Sequence, residues 1–175
     1  DRSTHLVRQL LNLARYDRPM RKEDLEVVEL RELAQGVVAE LAGMAEHHRV
    51  DLGVIDDDGR AVRALSERDG LRILLMNLID NAVKYTPEGG RITVRTRATD
   101  FAVLEVEDDG PGIPENERDL IFERFYRVLG NEVPGSGLGL AIVREIAELH
   151  RGSVQLKPGP EGRGTLAQAV FRRRR

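Results

Sequence analysis

The 175-residue chain contains no cysteine, which excludes a disulfide framework, a thiolate metal site and a cysteine nucleophile, and fits a reducing compartment. No apolar run approaches the ~18–20 residues that span a bilayer, and no signal-peptide core precedes a small-residue cleavage site. The chain as it stands is expected to be soluble and not membrane-inserted. An excess of one charge is also missing: 27 Lys and Arg against 30 Asp and Glu leave −3, so no global field attracts nucleic acid. Internal repeats and low-complexity segments are absent. The first residue is Asp1 instead of Met, which reads as a fragment whose missing N-terminal part could carry a membrane segment or another domain. The rest is 41% hydrophobic and 33% charged, the composition of a chain that folds as one globular domain of ordinary size.

Residues 1–18 carry Leu6, Val7, Leu10, Leu11, Leu13 and Ala14 at helical spacing behind Ser3 and Thr4, and Arg18-Pro19 ends the pattern. This wide stripe packs either on something outside the visible sequence or on its own domain. After a charged linker at 19–24, Leu25 to Leu30 reads as a strand and Leu33 to Met44 as a helix. Val50 to Ile55 and Ala61 to Leu65 read as two strands of a hairpin around Asp56-Asp57-Asp58-Gly59. Ser66 and Asp69 read as a capping box ahead of a helix with Leu71, Leu74, Leu75, Leu78, Ile79 and Ala82 on one face. A second hairpin, Ile92 to Arg95 with Ala102 to Asp108, follows, then a helix from Leu138 to Leu149 and strands at Ser153 to Leu156 and Leu166 to Phe171. Strands and helices mix without regular βαβ alternation, which predicts an α+β two-layer sandwich: a mixed, mostly antiparallel sheet backed by helices, with one extra N-terminal helix. Nine glycines and prolines fall between residues 110 and 139, and such long punctuated loops tend to be lids or binding loops.

At 100° per residue, Asn77, Asn81 and Lys84 share a ~60° arc away from the apolar face of their helix. Asn is a poor helix former, so two of them one turn apart ask for a reason. Amide carbonyl oxygens are hard ligands suited to Mg²⁺, and a lysine beside them can neutralise phosphate. For this trio alone a hydrated polar face is the commoner explanation. Asp108 alternates in phase with Leu104 and Val106, so it is a carboxylate aimed at the core and in need of donors. The exocyclic amine of adenine is one suitable donor, and backbone N–H groups of the turn at Asp109-Gly110 are the ordinary alternative. Gly110-Pro111-Gly112 lets backbone approach a flat ligand. Gly135-Ser136-Gly137-Leu138-Gly139-Leu140 runs straight into a helix, whose unpaired N–H groups and positive dipole end suit an anion such as a triphosphate. It is neither a Walker A loop nor a dinucleotide fingerprint. Phe122, Phe125 and Tyr126 between the glycine clusters can anchor a lid, with Arg127 near phosphate and Arg124 in ordinary packing.

Taken together, Asn77-Leu-Ile-Asp-Asn81-Ala-Val-Lys84-Tyr85-Thr86, Asp108-Asp-Gly110-Pro-Gly112-Ile113, Phe122-Glu-Arg-Phe125-Tyr-Arg127 and Gly135-Ser-Gly-Leu-Gly-Leu140 resemble the asparagine, first glycine, phenylalanine and second glycine boxes of sensor histidine kinases, in family order and spacing. The resemblance covers essentially the whole chain, because Asp1 to Asp17 looks like the second helix of that family's dimerisation and phosphoacceptor domain. It implies the ATP-binding sandwich shared by gyrase, MutL and histidine kinases over residues 25–175, with a lid at about 110–137. It implies further that Asn81 ligates Mg²⁺ with support from Asn77, that Lys84 and Tyr85 line the nucleotide, and that Asp108 accepts from the adenine amine beside Gly110, Gly112 and Ile113. Gly135, Ser136, Gly137, Leu138, Gly139 and Leu140 would hold the phosphates of ATP, Thr165 would border the site, and Arg127 would reach in from the lid. Asn81, Lys84 and Arg127 are then the residues nearest the chemistry. The implied reaction passes the γ-phosphoryl to a histidine of the dimerisation domain and then to an aspartate of a response regulator. The implied partners are a sister protomer and that regulator, and the implied place is the cytoplasmic side of a membrane sensor.

The sequence departs from the family pattern in three places. None of His5, His47, His48 and His150 has the acidic residue and Leu-Arg-Thr-Pro that follow the family's phosphoacceptor. Gly162-Arg-Gly164-Thr165 continues with Leu166-Ala167 where Thr-Phe is usual, and Asp109 stands where Asn is commoner. The alternatives are a serine kinase of the anti-sigma type, disfavoured by the N-terminal helix and the phenylalanine box, and a nucleotide-binding or dimerisation module without transfer activity.

Overall fold

Helices α1 (Leu30–His47), α2 (Arg68–Tyr85) and α3 (Gly139–Leu149) lie over one face of a five-stranded sheet. The structure is a computed structural model that describes residues 20–55, 59–128 and 133–174, with residues 4, 7, 9–11 and 14 of the N-terminal segment. The sheet strands are β2 (Asp51–Ile55), β4 (Arg91–Ala98), β5 (Phe101–Asp108), β6 (Ser153–Pro158) and β7 (Thr165–Arg172), in the order β2-β4-β5-β7-β6. Only β2 and β4 run parallel, so the sheet is mixed and mostly antiparallel, and the two-layer α+β sandwich expected from the sequence is the fold. Outside it, β1 (Glu26–Glu29) pairs antiparallel with β3 (Arg63–Ser66).

The register separates two rows of side chains. Val54, Val94, Val106, Ala167 and Leu156 stand opposite one another across the five strands, and they meet the buried Leu71, Leu74, Leu75, Leu78 and Ile79 of α2. Each such leucine or isoleucine contributes about 1.5–3 kcal/mol on leaving water. The alternate residues build a polar outer face: Arg95 bonds Glu107 at 2.8 Å, Arg97 bonds Glu105 at 3.0 Å, and Gln168 donates to Glu105 at 2.8 Å. The alternation that marked β4 and β5 in the sequence therefore separates the helix-facing row from an outer row in which Arg95, Arg97 and Glu107 are partly or fully exposed while Thr93, Val103 and Glu105 are buried.

Two local expectations are corrected. The strands at 50–55 and 61–65 do not form a hairpin, because β2 pairs in parallel with β4 and β3 turns back onto β1. Leu52 and Val54 align with Ile92 and Val94 and so extend the apolar row of the main sheet, an alignment available only after α2 has crossed over. Ser66 and Asp69 do not form a capping box. Ser66 is the last residue of β3, opposite Glu26 and fully buried, so the N-cap moves to Glu67, which makes no side-chain capping bond. The expected turn at 56–58 and most of the N-terminal helix, His5 included, lie outside the described residues.

His150 closes α3 from inside. It is 6% exposed, its Nδ1 donates to the Ile146 carbonyl at 2.7 Å, and its ring sits so close to Gly70 that a Cβ there would lie 2.6 Å from Cε1. Burial pushes its pKa below 6.5, with the Ile146 carbonyl partly opposing. Below pH 6.5 the unfolded chain therefore takes up a proton that the folded one resists, and stability falls as the pH drops. Urea midpoints for wild type and His150→Gln at pH 7.5 and 5.5 test this: the variant is expected to lose less on acidification, and equal losses would refute it.

Candidate functional site

The carboxyl end of α2, the carboxyl end of β5 and the amino end of α3 converge on one side of the sandwich and enclose two adjoining cavities. The larger, about 420 Å³, is bordered by Asn81, Tyr85, Asp108, Gly112, Ile113, Leu140 and Thr165. The smaller, about 50 Å³, is bordered by Asn81, Lys84, Tyr85, Arg127, Gly135, Ser136, Gly137, Gly139 and Leu140. Asn81, Tyr85, Ile121, Val128 and Leu140 belong to both and join them. Residues 135–140 follow a stretch at 129–132 that lies outside the described residues.

Asp108 ends β5 in the core-facing row, opposite Ile92 on one side and Thr165 on the other. Its Oδ1 accepts the Gly110 N–H at 2.8 Å, so the backbone alternative from the sequence is realised while the carboxyl still borders the larger cavity. Burial raises its pKa to about 6, against backbone donors at Gly110 and Thr165, and the neighbouring charges of Asp109 and Glu107 raise it further. The remaining walls, including Leu78, Ala82, Val106, Ile121, Leu156 and Ala167, are apolar. A flat apolar group with one donor at its edge matches this lining.

Asn77 Nδ2 donates to the Ile73 carbonyl at 2.9 Å, leaving Oδ1 available. A Cβ built on Gly139 would lie 3.4 Å from Asn77 Oδ1 and 3.9 Å from Asn81 Oδ1, so both amide oxygens face the start of α3. Among the described residues no three His, Cys, Asp or Glu side chains gather as a metal cluster. A cation here would rest on amide oxygens plus oxygens from a ligand, a donor set that suits Mg²⁺. Lys84 pairs with Asp80 one turn earlier at 2.5 Å, both about three-quarters buried. At the start of α3, the N–H groups of Gly139, Leu140 and Ala141 precede the first intrahelical donor, Ile142, which bonds Leu138.

Asn77, Gly110 and Leu138 border neither cavity. Gly110 holds Asp108, and Leu138 is fully buried with its N–H on Ser136 Oγ at 3.2 Å. In the segment 110–137, short 3-10 turns form at Glu115–Glu117 and Leu120–Phe122. Phe122 anchors the segment, 4% exposed with the Arg144 guanidinium 5.8 Å from its ring. Phe125 does not act as an anchor: it is 64% exposed, and its backbone takes φ 65° to bring its N–H onto the Gly137 carbonyl at 2.9 Å. Tyr126 donates to Glu117, Arg127 donates to the Val133 carbonyl, and Arg124 pairs with Glu145, the ordinary packing expected of it.

Several bordering residues were not singled out in the sequence. Asp80 had a signal, its i, i+4 spacing to Lys84. Ala167 was marked only as a departure from the family pattern after Thr165, and Leu156 had no signal, since it joins the cavity only through the pairing of β6 with β7 beside β5. Gln9, from the N-terminal segment, also had none.

A helix-backed mixed sheet with such a cleft beside a glycine-rich helix start is the architecture of an ATPase sandwich. A model of the histidine kinase-, DNA gyrase B- and HSP90-like ATPase family matches residues 66–175, and the chain belongs to that family. The chain is 39% identical over 173 residues to the sensor protein kinase PmrB of Pseudomonas aeruginosa, covering 98% of this chain and 36% of that protein. It is 36% identical over 162 residues to the sensor protein QseC of Escherichia coli K12, covering 93% and 35%. Among solved structures, the mycobacterial sensor histidine kinase MprB matches with a TM-score of 0.72 at 33% identity, over 86% of this chain and 98% of that one. Full-length ShkA in complex with AMPPNP matches with a TM-score of 0.81 at 27% identity, over 97% and 35%. Within the family this is therefore a catalytic domain of the sensor histidine kinase type, and it spans about a third of the length of the curated relatives it matches. No helix among the described residues is long and apolar enough to cross a membrane.

Proposed function

We propose that the joined cavities bind Mg·ATP, adenine in the larger and phosphates in the smaller, and that the domain transfers the γ-phosphoryl to a histidine. The observation that carries this reading is Asp108, a carboxylate on the wall of an otherwise largely apolar 420 Å³ cavity, where a base offering one amine donor fits. The AMPPNP bound to the related ShkA supports the same assignment. Gly112 and Ile113 would lie along the base, with Gly110 holding Asp108 and Thr165 at its side. Asn81 would hold Mg²⁺ with Asn77 behind it, while Lys84 and Tyr85 line the nucleotide. Gly135 to Leu140 would surround the phosphates, met by the open N–H groups of α3, and Arg127 would reach them from the lid at about 110–137. When bound at Asn81, Mg²⁺ would supply neutralisation of the phosphate charge. Catalysis is then positioning and charge neutralisation: the bond from the γ-phosphorus to the bridging oxygen breaks, a P–N bond to the acceptor forms, and ADP leaves.

In the whole protein, residues 1–18 would be the second helix of a dimerisation hairpin, 19–24 a linker and 25–175 the catalytic domain. A sister protomer would dimerise through that hairpin, and a response regulator aspartate would receive the phosphoryl group on the cytoplasmic side of a membrane sensor. Since the sequence holds no family phosphoacceptor motif, this chain alone is expected to bind Mg·ATP without gaining acid-labile phosphate. Calorimetric titration of ATP with and without Mg²⁺ tests the pocket. At about 100 times its dissociation constant ATP should stabilise the fold by roughly 2.7 kcal/mol. Asn81→Ala should abolish the Mg²⁺-dependent part of the affinity. A wild-type chain that ignores adenine nucleotides would refute the reading.

A further inference from the structure

Among the described N-terminal residues, Thr4, Val7, Leu10, Leu11 and Ala14 are exposed, and only Gln9 is buried, at 6%. Among these described residues, contact with the catalytic domain is made through the amide of Gln9. Gln9 borders the smaller cavity with Asn81, Lys84 and Arg127, and its Oε1 accepts the Ser136 hydroxyl at 2.5 Å. The same Ser136 Oγ accepts the Leu138 N–H at 3.2 Å, immediately before α3. Ser136 therefore spends its one hydroxyl proton on Gln9, and the Leu138 donor is spent on Ser136. Both donors belong to the loop that, in the reading proposed above, surrounds phosphate, and an amide oxygen is the neutral counterpart of a phosphate oxygen as acceptor.

We propose that Gln9 is an internal competitor for the phosphate end of the site: its amide oxygen holds Ser136 in the nucleotide-free protein, and phosphate displaces it, releasing the N-terminal helix from the catalytic domain. The helix and the nucleotide are then linked reciprocally, since whatever pulls Gln9 away raises nucleotide affinity by the same factor. This inference rests on the Mg·ATP reading, and its test separates the two. The contact itself is measured without ligand, by a double-mutant cycle of Gln9→Ala and Ser136→Ala on thermal unfolding of the full 175-residue chain, where the two shifts are expected not to add. Competition is measured by the affinities of ATP and of adenosine. Gln9→Ala should tighten ATP roughly three- to tenfold, the weight of one hydrogen bond, and leave adenosine unchanged. Gln9→Glu, which sets a negative charge beside the phosphates, should weaken ATP and again leave adenosine unchanged. Additive thermal shifts would overturn the contact, and an ATP affinity unchanged or weakened in Gln9→Ala would overturn the competition. A non-additive cycle with no binding of ATP or adenosine by any variant would overturn the nucleotide reading, and the competition with it, while leaving the contact intact.

Discussion

Asp108→Asn is expected to make the nucleotide-free protein more stable at pH 7.5 and, at the same time, to weaken ATP binding. Burial holds the Asp108 carboxyl at about 6, above its ordinary 3.8. Between those values the folded state holds a proton that the unfolded state has released, so stability falls as the pH rises through the window, and the full penalty remains above pH 6. At about 1.4 kcal/mol per unit, a shift of this size is a penalty of roughly 2–3 kcal/mol. Asn keeps an acceptor for the Gly110 N–H and removes the charge, so it should recover part of that penalty. Denaturant unfolding of both proteins at pH 7.5 and pH 4 is the measurement: a gain at 7.5 that shrinks at pH 4 is expected, and a less stable variant at 7.5 would contradict it. For the adenine amine, losing a charged acceptor should reduce affinity roughly tenfold. Wild-type affinity should also decline below about pH 6, as the carboxylate takes up its proton, with an inflection that the variant lacks.

Gly164→Ala is expected to do more damage than any other single methyl group added beside Asp108. Gly164 sits at φ +66°, and a Cβ there would lie 1.7 Å from the Asp108 carbonyl oxygen and 2.8 Å from its carbon. Those atoms are backbone, at the last register pair of β5 with β7, Asp108 opposite Thr165, so no side chain can swing away. Relief requires separating the strand ends that position the carboxylate. A loss above about 3 kcal/mol follows, in the upper tail of single substitutions, with nucleotide binding lost as well. Gly162→Ala provides the control. Gly162 is also left-handed, at φ +73°, but has nothing within 4 Å of the added methyl, so its cost should be the conformational term of about 1–2 kcal/mol. Equal effects in thermal unfolding of the two variants would show that backbone strain, and not the collision with Asp108, decides at both positions.

The pattern of these sites explains what could be read in the chain and what could not. Periodicity is local, so α2, α3 and the β4–β5 hairpin were legible from Leu71 to Ala82, Leu138 to Leu149 and Ile92 to Asp108. The phase of Asp108 with Leu104 and Val106 already set it on the core side, and the arc of Asn77, Asn81 and Lys84 already set those three on one face. Four motifs, from Asn77 to Leu140, in family order and spacing then made the family resemblance specific. Partnership between distant strands carries no local signature. Val50 to Ile55 and Ala61 to Leu65 looked like neighbours, yet each found a better partner elsewhere, since burying Leu52 and Val54 beside Ile92 and Val94 outweighs the short loop. For the same reason the cap at Ser66 failed: a serine in a strand register is no longer free to turn a helix. The chain by itself therefore determined most of the strands and helices of the sandwich, the core-facing side of the carboxylate and the membership of the ATPase family. Only the tertiary structure decided which strands meet, that Leu156 and Ala167 close the cavity, and that Gln9 reaches Ser136 across 127 positions, because a contact between residues so far apart is set by packing and leaves no pattern in the residues between them.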